Sequence, residues 1–142
     1  MKVRQLSLEI ENQPGRIFRI IEMLSQAEVQ VIAISVSENA VSGVVRMVVQ
    51  DLPTARQVLM DHEIPATVDE VLALSSGSES GSIARLLEPL HNERLNVQYL
   101  YALPGHGAGS MDLIVSVHDI DRAVDVLQQA GVRASTVIEG SR

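Results

Sequence analysis

Few residues of this 142-residue chain carry reactive side chains, and their spacing does not combine them. The histidines, His62, His91, His106 and His118, make no His-x-x-x-His or His-x-x-Glu-His pair, and cysteine is absent. A zinc cluster, a thiolate nucleophile and a disulfide framework therefore have no residues to build on. His106 lies in the glycine-rich run of residues 104–110, where it reads either as a ligand or acid/base group or, more simply, as a solvated loop histidine. Ser75, Ser76, Ser78, Ser80 and Ser82 cluster, but no histidine and carboxylate are arranged to activate one of them. The cluster reads as a flexible turn. Neither Gly-x-x-x-x-Gly-Lys nor Gly-x-Gly-x-x-Gly occurs at a strand-to-helix turn. Gly105, Gly107 and Gly109 lie between two strands, the wrong context for a dinucleotide site. Neither a cofactor nor a metal is expected.

The stretch with a defined chemical use is residues 11–17, Glu-Asn-Gln-Pro-Gly-Arg-Ile. Before it, Val3, Leu6, Leu8 and Ile10 approximate the alternation of a strand; after it, Ile17, Ile20, Ile21 and Leu24 follow helical spacing. The spacing predicts a strand-to-helix turn. Pro14 suits the first turn of a helix, and Asn12 or Gln13 suits its cap. Gly15 lets another molecule approach the backbone. The amides of Gly15, Arg16 and Ile17 would then face outward, toward an anion such as a carboxylate. The plainer reading is a helix start and nothing more.

The elements around this turn occur twice. With Gly15 set against Gly81, an offset of 66, Leu6 meets Leu72, Leu8 meets Leu74, Ile17 meets Ile83, Leu24 meets Leu90 and Val31 meets Val97. Beyond the glycine-rich loop the offset becomes 68, matching Asp51 to Asp119 and Leu59 to Leu127. Such internal repetition is read before anything else, because missing it miscalls the fold. In the first copy, strands are expected over 3–10, 30–38 and 43–50, with helices over 14–26 and from 52 to before 63. Residues 39–42 make the hairpin turn. In the second copy, helices are expected over 82–92 and 120–130, ended by Gly131, with strands over 95–103, 110–117 and 132–138.

This order is βαββαβ, the ferredoxin-like split, twice over: an α+β fold of antiparallel sheets with helices on one face. The expected repeats are 1–67 and 68–142. Residues 64–74 must supply both the last strand of one copy and the first of the next, either as one shared strand or with 132–138 crossing over. No flexible linker separates the halves, so they are expected to be tightly joined.

Composition narrows the partners. Net charge is −7 and aromatic residues are 2 %, against a nucleic-acid backbone or an anionic membrane as partner. Tyr99 and Tyr101 share one face of a strand, as RNA-stacking residues would, but no aromatic accompanies them on neighbouring strands. They read as interface residues. No stretch nears the roughly 20 apolar residues of a membrane span, and no apolar signal region opens the chain, so a cytoplasmic protein is expected.

The duplicated unit, with its turn Asn12-Gln13-Pro14-Gly15-Arg16-Ile17, resembles the ACT domain, a small amino-acid-sensing module. Leu95-Asn96-Val97-Gln98 is similar to the opening of that family's second strand. The resemblance implies a non-catalytic regulator that binds a free amino acid where the glycine loop of one unit faces that strand of another. It implies Asn12, Gln13, Pro14, Gly15, Arg16 and Ile17 with Asn96 as the site. The amides hold the carboxylate, and the carboxamides of Asn12 and Asn96 orient the amino group. Ile32, Gln98 and Leu100 complete this set, and Ile17, Ile32 and Leu100 favour a small or aliphatic side chain. Gln30, Ser80, Gly81 and Ser82 make a weaker second site, because proline is missing there and Glu79 repels a carboxylate. A homodimer through exposed edge strands and a metabolic enzyme as partner are expected. The competing readings are an adaptor with vestigial sites and an acylphosphatase-like enzyme. The latter's phosphate loop is unmatched, because Arg16 follows its glycine.

Overall fold

The alternation of Leu6, Leu8 and Ile10 puts these side chains on one face of a strand, and that face carries the first core. The computed structural model describes residues 1–11, 13–38 and 41–138. Its elements run β1 (Lys2–Glu11), α1 (Arg16–Gln26), β2 (Val31–Glu38), β3 (Ser42–Val49), α2 (Leu52–Asp61), β4 (Thr67–Ser76), α3 (Ser82–Asn92), β5 (Val97–Pro104), β6 (Met111–Val117) and α4 (Ile120–Gln129). Two units are formed: Arg4–Asp69, and Met1–Val3 with residues 70–138.

In the first unit the strand order is β2-β3-β1, with Thr67–Asp69 of β4 along the far side of β1. β3 is antiparallel to both neighbours, with Leu8 opposite Val45 on β1 and Val36 opposite Val45 on β2. Leu6, Leu8, Ile10, Val45 and Met47 meet Ile20 and Leu24 of α1 and Leu52, Ala55 and Leu59 of α2, so both helices cover one sheet face. The expected hairpin turn between β2 and β3 includes Asn39 and Ala40, which lie outside the described residues.

The second unit repeats the plan with β5-β6-β4, Leu72 opposite Val115 and Leu100 opposite Val115. Its core joins Leu72, Leu74, Leu113 and Val115 to Leu86 and Leu90 of α3 and Ala123 and Leu127 of α4. The free edge of β4 is taken first by the chain start, where Ala73 N donates to Met1 O (2.9 Å). It is then taken by residues 133–135, through Ser75 N to Arg133 O (2.9 Å) and Ser135 N to Ala73 O (2.9 Å). The strand expected over 132–138 is therefore reduced to the single bridge between Leu74 and Ala134. Lys2 pairs with Asp121, and that carboxylate raises the lysine pKa through their hydrogen bond.

Local chemistry sets the helix ends. Asp51 accepts from Thr54 N (3.1 Å) and from Thr54 Oγ1 (2.7 Å) at the start of α2, bonds that hold its carboxyl below the ordinary value. Asp119 caps α4, accepting from Arg122 N (3.2 Å). All four helices stop at a residue of positive φ: Glu28, Glu63, Arg94 and Gly131. The next amide then reaches back into the last turn, as in Val29 N to Leu24 O (2.9 Å) and Ile64 N to Leu59 O (2.8 Å).

Candidate functional site

Pro14 fixes φ near the value that the second residue of a type II β-turn needs, and Gly15 supplies the positive φ of the third. Gly15 has φ 82° and ψ −1°, and Arg16 N closes the turn on Gln13 O at 3.3 Å. This corrects three sequence expectations. Helix α1 begins at Arg16, so Pro14 precedes it instead of opening it. Among the described residues no side chain caps it, Gln13 included; Asn12 lies outside them. The Arg16 amide is spent on the turn. The first helical bond is Arg19 N to Gly15 O (3.0 Å), which leaves Ile17 and Phe18 as first-turn donors with no acceptor inside the helix.

The side chains around the turn are unusually open. Phe18 is 66 % exposed and Ile17 38 %, against the rule that large apolar groups are covered. Arg16 is half-buried, and its Nε is shielded from solvent with no hydrogen-bond partner among the described residues. A buried donor left unpaired is costly, which makes it the sharpest polar irregularity at this turn. In the same unit Ile32 is half-buried at a bulge of β2, and Gln30 is exposed while its carbonyl accepts from Gln50 N (2.9 Å).

The second unit has the same turn without proline. Gly81 has φ 83°, Ser82 N bonds Glu79 O (3.1 Å), and Arg85 N bonds Gly81 O (3.0 Å). Here the polar groups are partnered. Ser82 Oγ donates to Gly77 O (2.9 Å) and lies 3.1 Å from Ser76 Oγ, and Arg85 holds Glu79 Oε2 at 2.9 Å. Ser75, Ser76, Glu79, Ser82, Arg85 and Arg133 line a cleft of about 440 Å³ at this turn. Ser80 and Gly81 are exposed.

Asn96 is exposed immediately before β5, and Leu100 is 40 % exposed within it. Gln98 is exposed too, but its carboxamide is committed to its own sheet. Ser116 Oγ donates to Oε1 (2.9 Å), and Nε2 lies 3.0 Å from His118 Nε2. The two halves of the expected composite site thus belong to different units: residues 13–17 and Ile32 to the first, and Asn96, Gln98 and Leu100 to the second.

Two features escaped the sequence reading. One is the Glu79–Arg85 pair spanning the second turn, for which the signal was the repeat itself, since the matching positions are Gln13 and Arg19. The other is a cleft of about 550 Å³ bordered by Ser7, Glu9, Arg46 and Thr67. Ser7 Oγ donates there to Asp69 Oδ2 at 2.7 Å. The alternation of Gln5, Ser7 and Glu9 between the core leucines was its signal. Among the described residues no three histidine, aspartate or glutamate side chains gather to hold a metal ion, and no helix is long and apolar enough to cross a membrane.

Compared by sequence with curated proteins, the chain matches none. Among solved structures it is similar to protein BT0572 from Bacteroides thetaiotaomicron. They share 25 % identity, with 97 % of this chain and 96 % of that one covered, at a TM-score of 0.89. It shares its fold with the ligand-free regulatory subunit of aspartate kinase from Thermus thermophilus (16 % identity, 92 % and 95 % covered, TM-score 0.63). It also shares its fold with E. coli aspartokinase III in complex with lysine and aspartate (16 % identity, 91 % of this chain and 30 % of that one, TM-score 0.51). A family model described as the ACT domain pair matches residues 1–132. The duplicated ferredoxin-like order, the paired turns at Gly15 and Gly81 and this match over most of the chain agree, and the chain belongs to the family of ACT domain pairs.

Proposed function

We propose that the chain is a non-catalytic regulator that binds a free amino acid at the turn of residues 12–17. The observation that carries this reading is the turn itself: amides at Ile17 and Phe18 with no acceptor inside the helix, a glycine without a side chain beside them, and a buried Arg16 Nε with no partner among the described residues. A carboxylate satisfies all three. The amino group and side chain of the ligand would meet Asn96 and Leu100 of another ACT unit. Gln98 would orient that strand through Ser116 and His118 and not touch the ligand. Ile17, Ile32 and Leu100 favour a small or aliphatic amino acid. That E. coli aspartokinase III was solved with lysine and aspartate is a precedent of fold alone.

Binding between units favours the arrangement in which both halves of the site meet, and the difference in affinity passes to a homodimer partner or to a metabolic enzyme in the cytoplasm. β2 is an edge strand of its unit with Ile34 42 % and Val36 44 % exposed, which suits pairing with a second copy. The second turn, where Glu79 and Arg85 pair with each other, supports the adaptor reading for that repeat only.

Thermal unfolding against the twenty amino acids, one at a time, tests the proposal. A ligand at about 100 times its dissociation constant adds about 2.7 kcal/mol, which raises the midpoint by several degrees. One amino acid or a related few should do so. A flat response across the panel would favour the adaptor.

A further inference from the structure

The two turns superpose residue for residue in sequence, so each position in one tells what the other lacks. Gln13 corresponds to Glu79, Arg16 to Ser82 and Arg19 to Arg85. In the second repeat every polar side chain at these positions is satisfied from within. Glu79 Oε2 accepts from the Arg85 guanidinium at 2.9 Å, and the Ser82 hydroxyl is bonded to Gly77 O and Ser76 Oγ. In the first repeat the carboxylate is replaced by a neutral amide, the cation remains as Arg19, and a second cation, Arg16, stands where the second repeat has Ser82. Arg19 makes no ion pair among the described residues, unlike Arg85 with Glu79. Arg16 keeps a solvent-shielded Nε with no acceptor among the described residues. The first turn thus carries two guanidinium groups and no carboxylate at the position that Glu79 holds in the second.

We infer that Glu79 is a built-in carboxylate taking, in the second repeat, the place that a ligand carboxylate takes in the first, so that Gln13 and Arg19 decide which repeat binds and each chain holds one amino acid. This rests on the amino-acid-binding reading above. Arg19 supplies the charge that Arg85 spends on Glu79, and Arg16 Nε supplies a second donor, a pairing stronger than neutral hydrogen bonds. A glutamate at position 13 would fill the first site from within, and a glutamine at 79 would empty the second.

Isothermal titration with the amino acid that most raises the midpoint measures the number bound, beside the same amino acid with its carboxylate converted to the amide. Wild type should take one equivalent per chain and the amide none. Gln13→Glu and Arg19→Gln should each weaken binding at least ~10-fold, Arg85→Gln should leave one equivalent, and Glu79→Gln should take two. Residues 13 and 79 are exposed, and a cooperative melt confirms that each variant folds. Gln13→Glu or Arg19→Gln binding like wild type, or Glu79→Gln staying at one equivalent, overturns the inference and leaves the amino-acid reading standing. Equal binding of the amide also overturns it, because the carboxylate is then not what is held. No response from wild type or Glu79→Gln to any of the twenty overturns both.

Discussion

At Gly15 the backbone and the ligand make separate demands, and a substitution tells them apart. A Cβ built there meets nothing within 4 Å, and the same holds at Gly81, so neither glycine is required for lack of room. Both are required by φ, at 82° and 83°. Gly15→Val and Gly81→Val should therefore destabilise alike, by about 2 kcal/mol each, from the left-handed backbone alone. Only Gly15→Val should also abolish the amino-acid-induced rise in midpoint, since its side chain fills the open space in front of the turn. Urea unfolding and the ligand panel separate the two effects. The glycines were legible from the sequence; the role of Pro14 was not. Proline fixes the same φ in the first turn of a helix and in a type II turn, so residue type alone does not distinguish them.

Elements were legible wherever periodicity was long. α1, α3 and both hairpins follow spacings that only one period fits, and helix α3 keeps its expected range, 82–92, despite Pro89 inside it. The closing strand was misread because its apolar residues suited a strand while its partner's edge was already taken in part by Met1. The helix ends hold a feature that no propensity scale flags. Glu28, Glu63 and Arg94 occupy the left-handed stop that Gly131 fills at α4. Each is exposed, so nothing packs there to offset the strain. Glu63→Gly should raise stability by about 1 kcal/mol in urea unfolding, while Gly131→Glu should lower it by a similar amount.

Across the whole molecule, neither unit closes its sheet from its own repeat. β1 belongs to one unit at Met1–Val3 and to the other from Arg4; β4 changes at Asp69. Folding of either sheet needs both strands, so unfolding should be one transition with equal calorimetric and van't Hoff enthalpies. Leu8→Ala in the first core and Leu74→Ala in the second should each cost about 2–5 kcal/mol and move that same transition. Two separate transitions, each answering to one substitution, would contradict this.

The passage of β4 from one unit to the other also constrains how the gene can change. Val68 packs against the first core, and Leu72 and Leu74 lie in the second; all three sit at even positions of one strand. Adding or removing a single codon between Asp69 and Glu70 would reverse the parity of everything after it and turn one core's leucines outward. Surface loops tolerate insertions of any length, whereas this junction tolerates only multiples of two residues. The duplicated chain is thereby locked in phase, and the two residues by which the second copy exceeds the first fall in a hairpin loop, where parity does not matter.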